Sequence, residues 1–222
     1  MIRKPRFLTV FGTRPEAIKL APLVRLFESC PDIEHATCVT GQHRAMLDQV
    51  LDLFKITPDH DLDLMRPAQD LGELTGRVMT QSAKVIRAFK PDWVIVQGDT
   101  TTAFAVSLAA FYEKTRIAHV EAGLRTGNLD SPFPEELNRR LVSCIADLHF
   151  APTRRAANNL LREGCSDAKV FVTGNSVVDA LYWVRNWIAQ DPPTRQALEA
   201  DYAFLDPRRK LVLMTGHRRE NF

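Results

Sequence analysis

The chain has 222 residues, 45% of them hydrophobic and 25% charged. That is ordinary for a globular protein and enough for one large domain or two small ones. Its 29 basic and 27 acidic side chains leave a net charge of +2, which excludes the broad basic footprint of a nucleic-acid binder but not a local anion site. The four cysteines, Cys30, Cys38, Cys144 and Cys165, form no Cys-x-x-Cys pair and sit near no matching histidines. Buried free thiols in a reducing compartment are expected, with no metal site and no disulfide framework. The basic N-terminus leads into an apolar run too short for a signal peptide, and no apolar run approaches the roughly 20 residues that span a bilayer. A cytoplasmic protein that touches no membrane is expected.

Phe7 to Phe11 is a β-type apolar run closed by Gly12, read as a buried strand meeting a tight turn. Pro15 suits the first turn of the helix that follows, whose stripe is Leu20, Leu23, Val24 and Phe27, and Pro22 predicts a kink or a late start. Ala36 to Thr40 is a second strand closed by Gly41-Gln42-His43, and Met46, Leu47, Val50, Leu51 and Phe54 mark the next helix. Residues 57–70 read as an irregular connection and 71–89 as a helix ended by Lys90-Pro91-Asp92. Trp93 to Gln97 is a third strand, followed by Gly98-Asp99-Thr100 and a small apolar helix through Tyr112. Arg116 to Val120 is a fourth, running straight into Glu121-Ala-Gly-Leu-Arg125 and then a helix over 134–147. Leu148 to Ala151 and Lys169 to Thr173 are short strands, the helix between them capped by Thr153 and stopped by Gly164. After a last helix over 177–189, a polar linker precedes a further strand from Lys210 to Thr215, which turns at Gly216-His217.

Strands alternating with helices, most of them continuous apolar runs, predict an α/β fold with a Rossmann-like parallel sheet covered on both faces. The expected division is a first domain over 1–190, a linker over 191–209, and the first strand of a second, truncated Rossmann-like domain over 210–222.

In such a sheet the carboxyl ends of the strands lie on one edge, where ligands bind. Arg14 and Lys19, behind the first strand end, offer a fork and a point charge for a phosphate, or are solvated helix-start charges. Asp99 is either an N-cap or functional. Glu121 ends an apolar strand, so it must be paired or functional. His217 alone reads more readily as structural than as catalytic. The first turn is neither Gly-x-Gly-x-x-Gly nor a Walker sequence, which disfavours a nicotinamide cofactor or a P-loop ATPase. On the helix over 134–147, Leu137, Leu141 and Cys144 define the expected packed face. Glu135 and Arg139 then lie opposite as an i, i+4 pair, repeated on the flank by Glu136 and Arg140.

Six motifs in order, Phe-Gly-Thr-Arg-Pro-Glu-Ala-Ile-Lys (11–19), Gly-Gln-His-Arg (41–44), Gly-Asp-Thr-Thr-Thr (98–102), His-Val-Glu-Ala-Gly-Leu-Arg-Thr-Gly (119–127), Pro-Glu-Glu-Leu-Asn-Arg (134–139) and Thr-Gly-His-Arg-Arg-Glu-Asn (215–221), resemble the non-hydrolysing bacterial UDP-N-acetylglucosamine 2-epimerases. The resemblance implies the first domain of a two-domain glycosyltransferase-B-type fold, with UDP-sugar between the domains and no cofactor. It implies conversion of UDP-N-acetylglucosamine to UDP-N-acetylmannosamine, for surface polysaccharide, by anti elimination of UDP to 2-acetamidoglucal and re-addition. Asp99, Glu121 and Glu135 match the family's proposed acid and base residues, their roles unassigned. Arg14, Lys19, Arg139 and His217 match the positive charge for the diphosphate, with Asp99 and Glu121 also among the substrate-binding positions. Gln42 and His43 match a regulatory UDP-N-acetylglucosamine site, and a homodimer is expected. The family's Gly-rich diphosphate turn is not in this sequence, so these 222 residues alone are expected to turn over poorly or not at all. The rival readings are a hydrolysing relative that releases N-acetylmannosamine and UDP, a non-catalytic nucleotide-sugar-binding fragment, and a sugar transferase of the same architecture.

Overall fold

A computed structural model describes residues 3–41, 44–64, 66, 69–206 and 208–214. The chain divides into two compact units, residues 1–181 and 182–222.

The first unit alternates strands and helices: β1 (Arg6–Phe11), α1 (Arg14–Glu28), β2 (Glu34–Val39), α2 (Arg44–Phe54), β3 (His60–Asp61), α3 (Leu71–Phe89), β4 (Trp93–Gln97), α4 (Thr101–Tyr112), β5 (Arg116–Val120), α5 (Glu135–Ile145), β6 (Leu148–Ala151), α6 (Arg154–Arg162), β7 (Val170–Val172) and the start of α7 (Val177–Gln190). The strands form one sheet in the order β3-β2-β1-β4-β5-β6-β7, and every pairing is parallel. The α/β, Rossmann-like sheet read from the sequence is the fold observed.

The main core lies between the sheet and α3, α4 and α5. It joins Leu8, Val10, Cys38, Val94, Val96 and Ile117 to Val78, Ile86, Val106, Ala110 and Val142. Helices α1 and α2 pack on each other, and the reversal of strand order at β1, with right-handed crossovers, puts them on the opposite face. Most of α4 is buried because Ala103, Ala105, Ala109 and Ala110 let α3 and α5 close on both its sides, while Phe111 and Tyr112 at its end stay exposed.

Helix α1 starts at once after Thr13, so the late start expected from Pro22 does not occur. Thr13 and Glu16 form a capping box with a proline at the helix start, which fixes the first turn, and Pro22 lies inside the continuous helix. The connection over 57–70 contains a two-residue strand, β3, that adds an edge to the sheet beside β2.

In the second unit, α7 continues to Gln190 and α8 (Pro192–Asp201) follows. The polar stretch read as a linker is therefore helical for ten residues. Asp191 accepts the N–H of Thr194 at 3.0 Å, and two prolines open the helix, a strong start signal despite the polar composition. Trp183 and Trp187 stack at 6.3 Å on α7. Lys210–Met214 have no strand pairing among the described residues.

Candidate active site

The strand order reverses between β1 and β4, and in open α/β sheets this is where a crevice opens at the carboxyl ends. Two turns flank it, Gly12-Thr13 after β1 and Gly98-Asp99-Thr100 after β4. Glu16 ties them together: one carboxylate oxygen accepts the N–H groups of Gly12 and Thr13 at 3.0 and 2.7 Å, and the other accepts the Thr100 hydroxyl at 2.6 Å. Glu16 is completely buried, and that burial raises its pKa against the pull of those donors. A Cβ on Gly12 would lie 2.2 Å from Thr40 Oγ1 and 2.5 Å from Thr102 Oγ1, so the turn has room only for glycine.

The second turn is held from β5. Gly98, at φ +70°, donates its N–H to Val120 O at 2.9 Å, and its carbonyl accepts Nε2–H of His119 at 2.7 Å. His119 is fully buried, and burial lowers its pKa from 6.5 to about 4. His149, opposite it on β6, is lowered to about 4 for the same reason. The folded state thus holds neutral imidazoles, while the unfolded chain takes up protons below pH 6.5. Stability is complete above pH 6.5 and is lost as pH falls towards 4, by about 3 kcal/mol for His119. His119→Gln, which keeps a donor for Gly98, is expected to flatten that loss in denaturant titrations between pH 7 and 4.5. An unchanged slope contradicts a neutral buried His119.

Glu121 leaves β5 in the left-handed region, at φ +62°, a conformation that costs a non-glycine residue about 1 kcal/mol or more. The bend turns its carboxylate, 11% exposed, back over the switch point. There it meets Lys19 Nζ at 2.5 Å, Asn175 Nδ2 at 2.6 Å and the side-chain amide of Gln97.

Asp99 pairs with Arg139, and its backbone carbonyl accepts Asn138 Nδ2 at 3.0 Å. Its pKa is raised: burial pushes it up, Arg139 pulls it down, and the negative charges of Glu135 and Glu121 add to the rise. Asp99, Glu121 and Glu135 therefore share one electrostatic site with Lys19 and Arg139. Glu135 Oε2 and Arg139 Nε are buried there with no hydrogen-bond partner among the described residues. Such orphaned atoms are what an open polar site presents to a ligand.

Helix α5 is turned otherwise than its apolar stripe implied. Leu137 and Leu141 are 40% and 36% exposed and Cys144 is exposed, while Glu136, Asn138 and Val142 face inward. Glu136 can be buried because it accepts the N–H groups of Thr126 and Gly127 at 3.0 and 3.2 Å and pairs with Arg139 and Arg140. Burial raises its pKa, but those N–H groups and Arg139 outweigh it and hold the carboxyl below the usual range. The anticipated Glu135–Arg139 pair is replaced by Arg139 with Asp99 and Glu136; the Glu136–Arg140 pair forms at 3.2 Å.

Arg14 is exposed at the start of α1, with no ion pair among the described residues. Arg125 forks onto Glu163 at 2.9 and 2.7 Å, anchoring the end of α6. His217, Gln42 and His43 lie outside the described residues. Among the described residues no group of histidines, cysteines and carboxylates could hold a metal ion.

The reversed strand order, with ionisable side chains converging on it, places the chain among the Rossmann-like α/β domains. The sequence model of the UDP-N-acetylglucosamine 2-epimerase family matches residues 26–222. The UDP-N-acetylglucosamine 2-epimerase of Escherichia coli strain K12 is 54% identical over 217 residues, 98% of this chain and 58% of that protein. The crystal structure of the Neisseria meningitidis UDP-GlcNAc 2-epimerase bound to UDP-GlcNAc superposes with a TM-score of 0.91 at 50% identity, covering 97% of this chain and 58% of that one. The Methanocaldococcus jannaschii enzyme, in complex with UDP-GlcNAc and UDP, gives a TM-score of 0.81 at 37% identity over 88% of this chain and 53% of its own. A lipopolysaccharide galactosyltransferase, 16% identical with a TM-score of 0.52, shares the fold alone. The chain belongs to the UDP-N-acetylglucosamine 2-epimerase family and spans about 58% of the length of the curated relatives it matches.

Proposed function

We propose that the full-length protein interconverts UDP-N-acetylglucosamine and UDP-N-acetylmannosamine, without a cofactor, and that Asp99, Glu121 and Glu135 move the protons. The convergence of these three carboxylates with Lys19 and Arg139 at the switch point carries the reading. The C2 proton of the sugar is not acidic, so its removal must be coupled to departure of a leaving group. A carboxylate takes the C2 proton, the C1–O bond to UDP breaks with its electrons going to the diphosphate, and a C1–C2 double bond forms. The reverse steps deliver a proton to the other face of C2 and the diphosphate oxygen back to C1. This needs one protonated and one ionised group on opposite faces of the ring. Asp99, with its raised pKa, suits the proton-carrying state. Arg14, Lys19, Arg139 and His217 supply positive charge to the departing diphosphate, and Gln42 and His43 belong to a regulatory UDP-sugar site. Product analysis separates this from the hydrolysing alternative: UDP-N-acetylmannosamine supports it, and free N-acetylmannosamine with UDP contradicts it.

The protein works as a homodimer in the cytoplasm, where nucleotide sugars are made. No helix among the described residues is long and apolar enough to cross a membrane. The dimer face is the outer stripe of α5, Leu137, Leu141 and Cys144, with Phe133 before it, an apolar row left in solvent. Leu137→Glu with Leu141→Glu is expected to turn a dimer into a monomer in sedimentation analysis. A double variant that still sediments as a dimer rules this face out.

A further inference from the structure

Glu121 is gripped by three donors, two of which lie outside every motif that marks the site. Gln97 is the last residue of β4, and its amide reaches Glu121 directly across the strand end. Asn175 comes from further away, in the turn between β7 and α7, two strands beyond β5 in the sheet. Gly174, at φ +81°, bends the chain there, and Asn175 Nδ2 donates to Glu121 Oε1 at 2.6 Å while Lys19 and Gln97 hold Oε2.

The other end of the Asn175 side chain is also engaged. Its Oδ1 accepts the N–H of Val177 at 3.1 Å, a local turn of the kind that Asn, Asp and Ser all make. Building that turn does not require asparagine. Asparagine alone of those three gives the backbone an acceptor and still presents an N–H to a carboxylate. Because Val177 N–H can only donate, the amide orientation is fixed, and the NH2 end must face Glu121.

We propose that Asn175 is a positioning residue: together with Gln97 it fixes the rotamer of the Glu121 carboxylate, whose charged partner among the described residues is Lys19. This deepens the proposed function and rests on Glu121 moving a proton there. Among the described residues, the charged groups facing Glu121 are Lys19 from α1 and Asp99 from the turn after β4. Without the Asn175 amide, Oε1 loses its donor and the carboxylate swings about the Lys19 contact, away from one productive geometry. Misplacement of this kind lowers kcat more than it affects substrate binding.

The test uses the full-length protein, with Asn175→Ala and Asn175→Asp compared by kcat, KM for UDP-N-acetylglucosamine and pH profile. Asn175→Ala is expected to lower kcat about 10- to 30-fold with KM within about threefold. Asn175→Asp keeps the turn to Val177 but sets a second carboxylate against Glu121. Its kcat falls further at pH 7, and the acidic limb of the profile moves to higher pH by roughly one unit. If one variant does not fold, the other carries the test. A kcat within twofold of wild type, a change in KM alone, or an Asn175→Asp profile with an unmoved acidic limb overturns the proposal. Glu121→Gln, measured alongside, separates the two failures. If it is inactive while both Asn175 variants are normal, only this inference falls; if it is fully active, the proton-moving role of Glu121 falls with it.

Discussion

Glu121→Gln in the full-length protein is expected to lower kcat by about 10³-fold while changing UDP affinity less than tenfold, the size of effect that follows loss of a general acid or base. The amide is nearly isosteric but cannot take a proton from C2 or return one. It also sets an NH2 group against Lys19, Gln97 and Asn175, all donors, so a modest loss of stability accompanies the loss of rate. Steady-state kinetics with isothermal titration of UDP checks both halves. A near-normal kcat assigns Glu121 a structural role as the carboxylate that anchors Lys19.

Arg139→Met carries the largest expected effect on stability, about 3 kcal/mol, because it removes one partner of a largely buried ion network. Its guanidinium, 11% exposed, serves Asp99 and the fully buried Glu136. Glu136 keeps the N–H groups of Thr126 and Gly127 and the charge of Arg140, but Asp99 is left beside Glu121 and Glu135 with no ion-pair partner among the described residues. Its pKa, already raised, rises further. A carboxylate with a raised folded pKa contributes stability below its unfolded value and loses it as pH climbs through the folded one. The deficit of Arg139→Met in Tm is therefore expected to be greatest at neutral pH and to shrink as pH falls towards the ordinary carboxylate range. Adding Asp99→Asn should recover most of it. A deficit independent of pH, or additive double-variant losses, shows that Arg139 acts by packing rather than by charge.

What could be read from the sequence divides along physical lines. β4, β5 and β6 lie within their apolar runs because strands buried on both faces need no alternation, and α3 ends at Lys90, which takes a left-handed cap at φ +52°. Carboxylates at strand ends were legible because topology alone sends those ends to one edge. The face of α5 was not. Local spacing pairs Glu135 with Arg139 and Glu136 with Arg140. The partners that let Glu136 go inward are backbone N–H groups of Thr126 and Gly127, which leave no pattern in side-chain spacing. β3 was missed because two residues carry no period, and α8 because polarity masked an Asp-Pro-Pro start. Gln97 left a readable trace, a polar residue closing the run Trp-Val-Ile-Val. Asn175 left none: in a Gly-Asn-Ser turn it looks like any residue that leads into a helix, and its reach to Glu121 depends on tertiary structure.

The central claim is that the edge of this sheet, completed by the rest of the full-length protein, removes and returns a proton at C2 of a UDP-sugar by elimination. The direct test is to give the full-length protein UDP-N-acetylglucosamine in heavy water and follow C2 by proton NMR and mass spectrometry. UDP-N-acetylmannosamine carrying deuterium at C2 is the predicted product, with deuterium entering the recovered UDP-N-acetylglucosamine as equilibrium is approached. UDP-N-acetylmannosamine that keeps its C2 hydrogen, or no epimer at all, contradicts it.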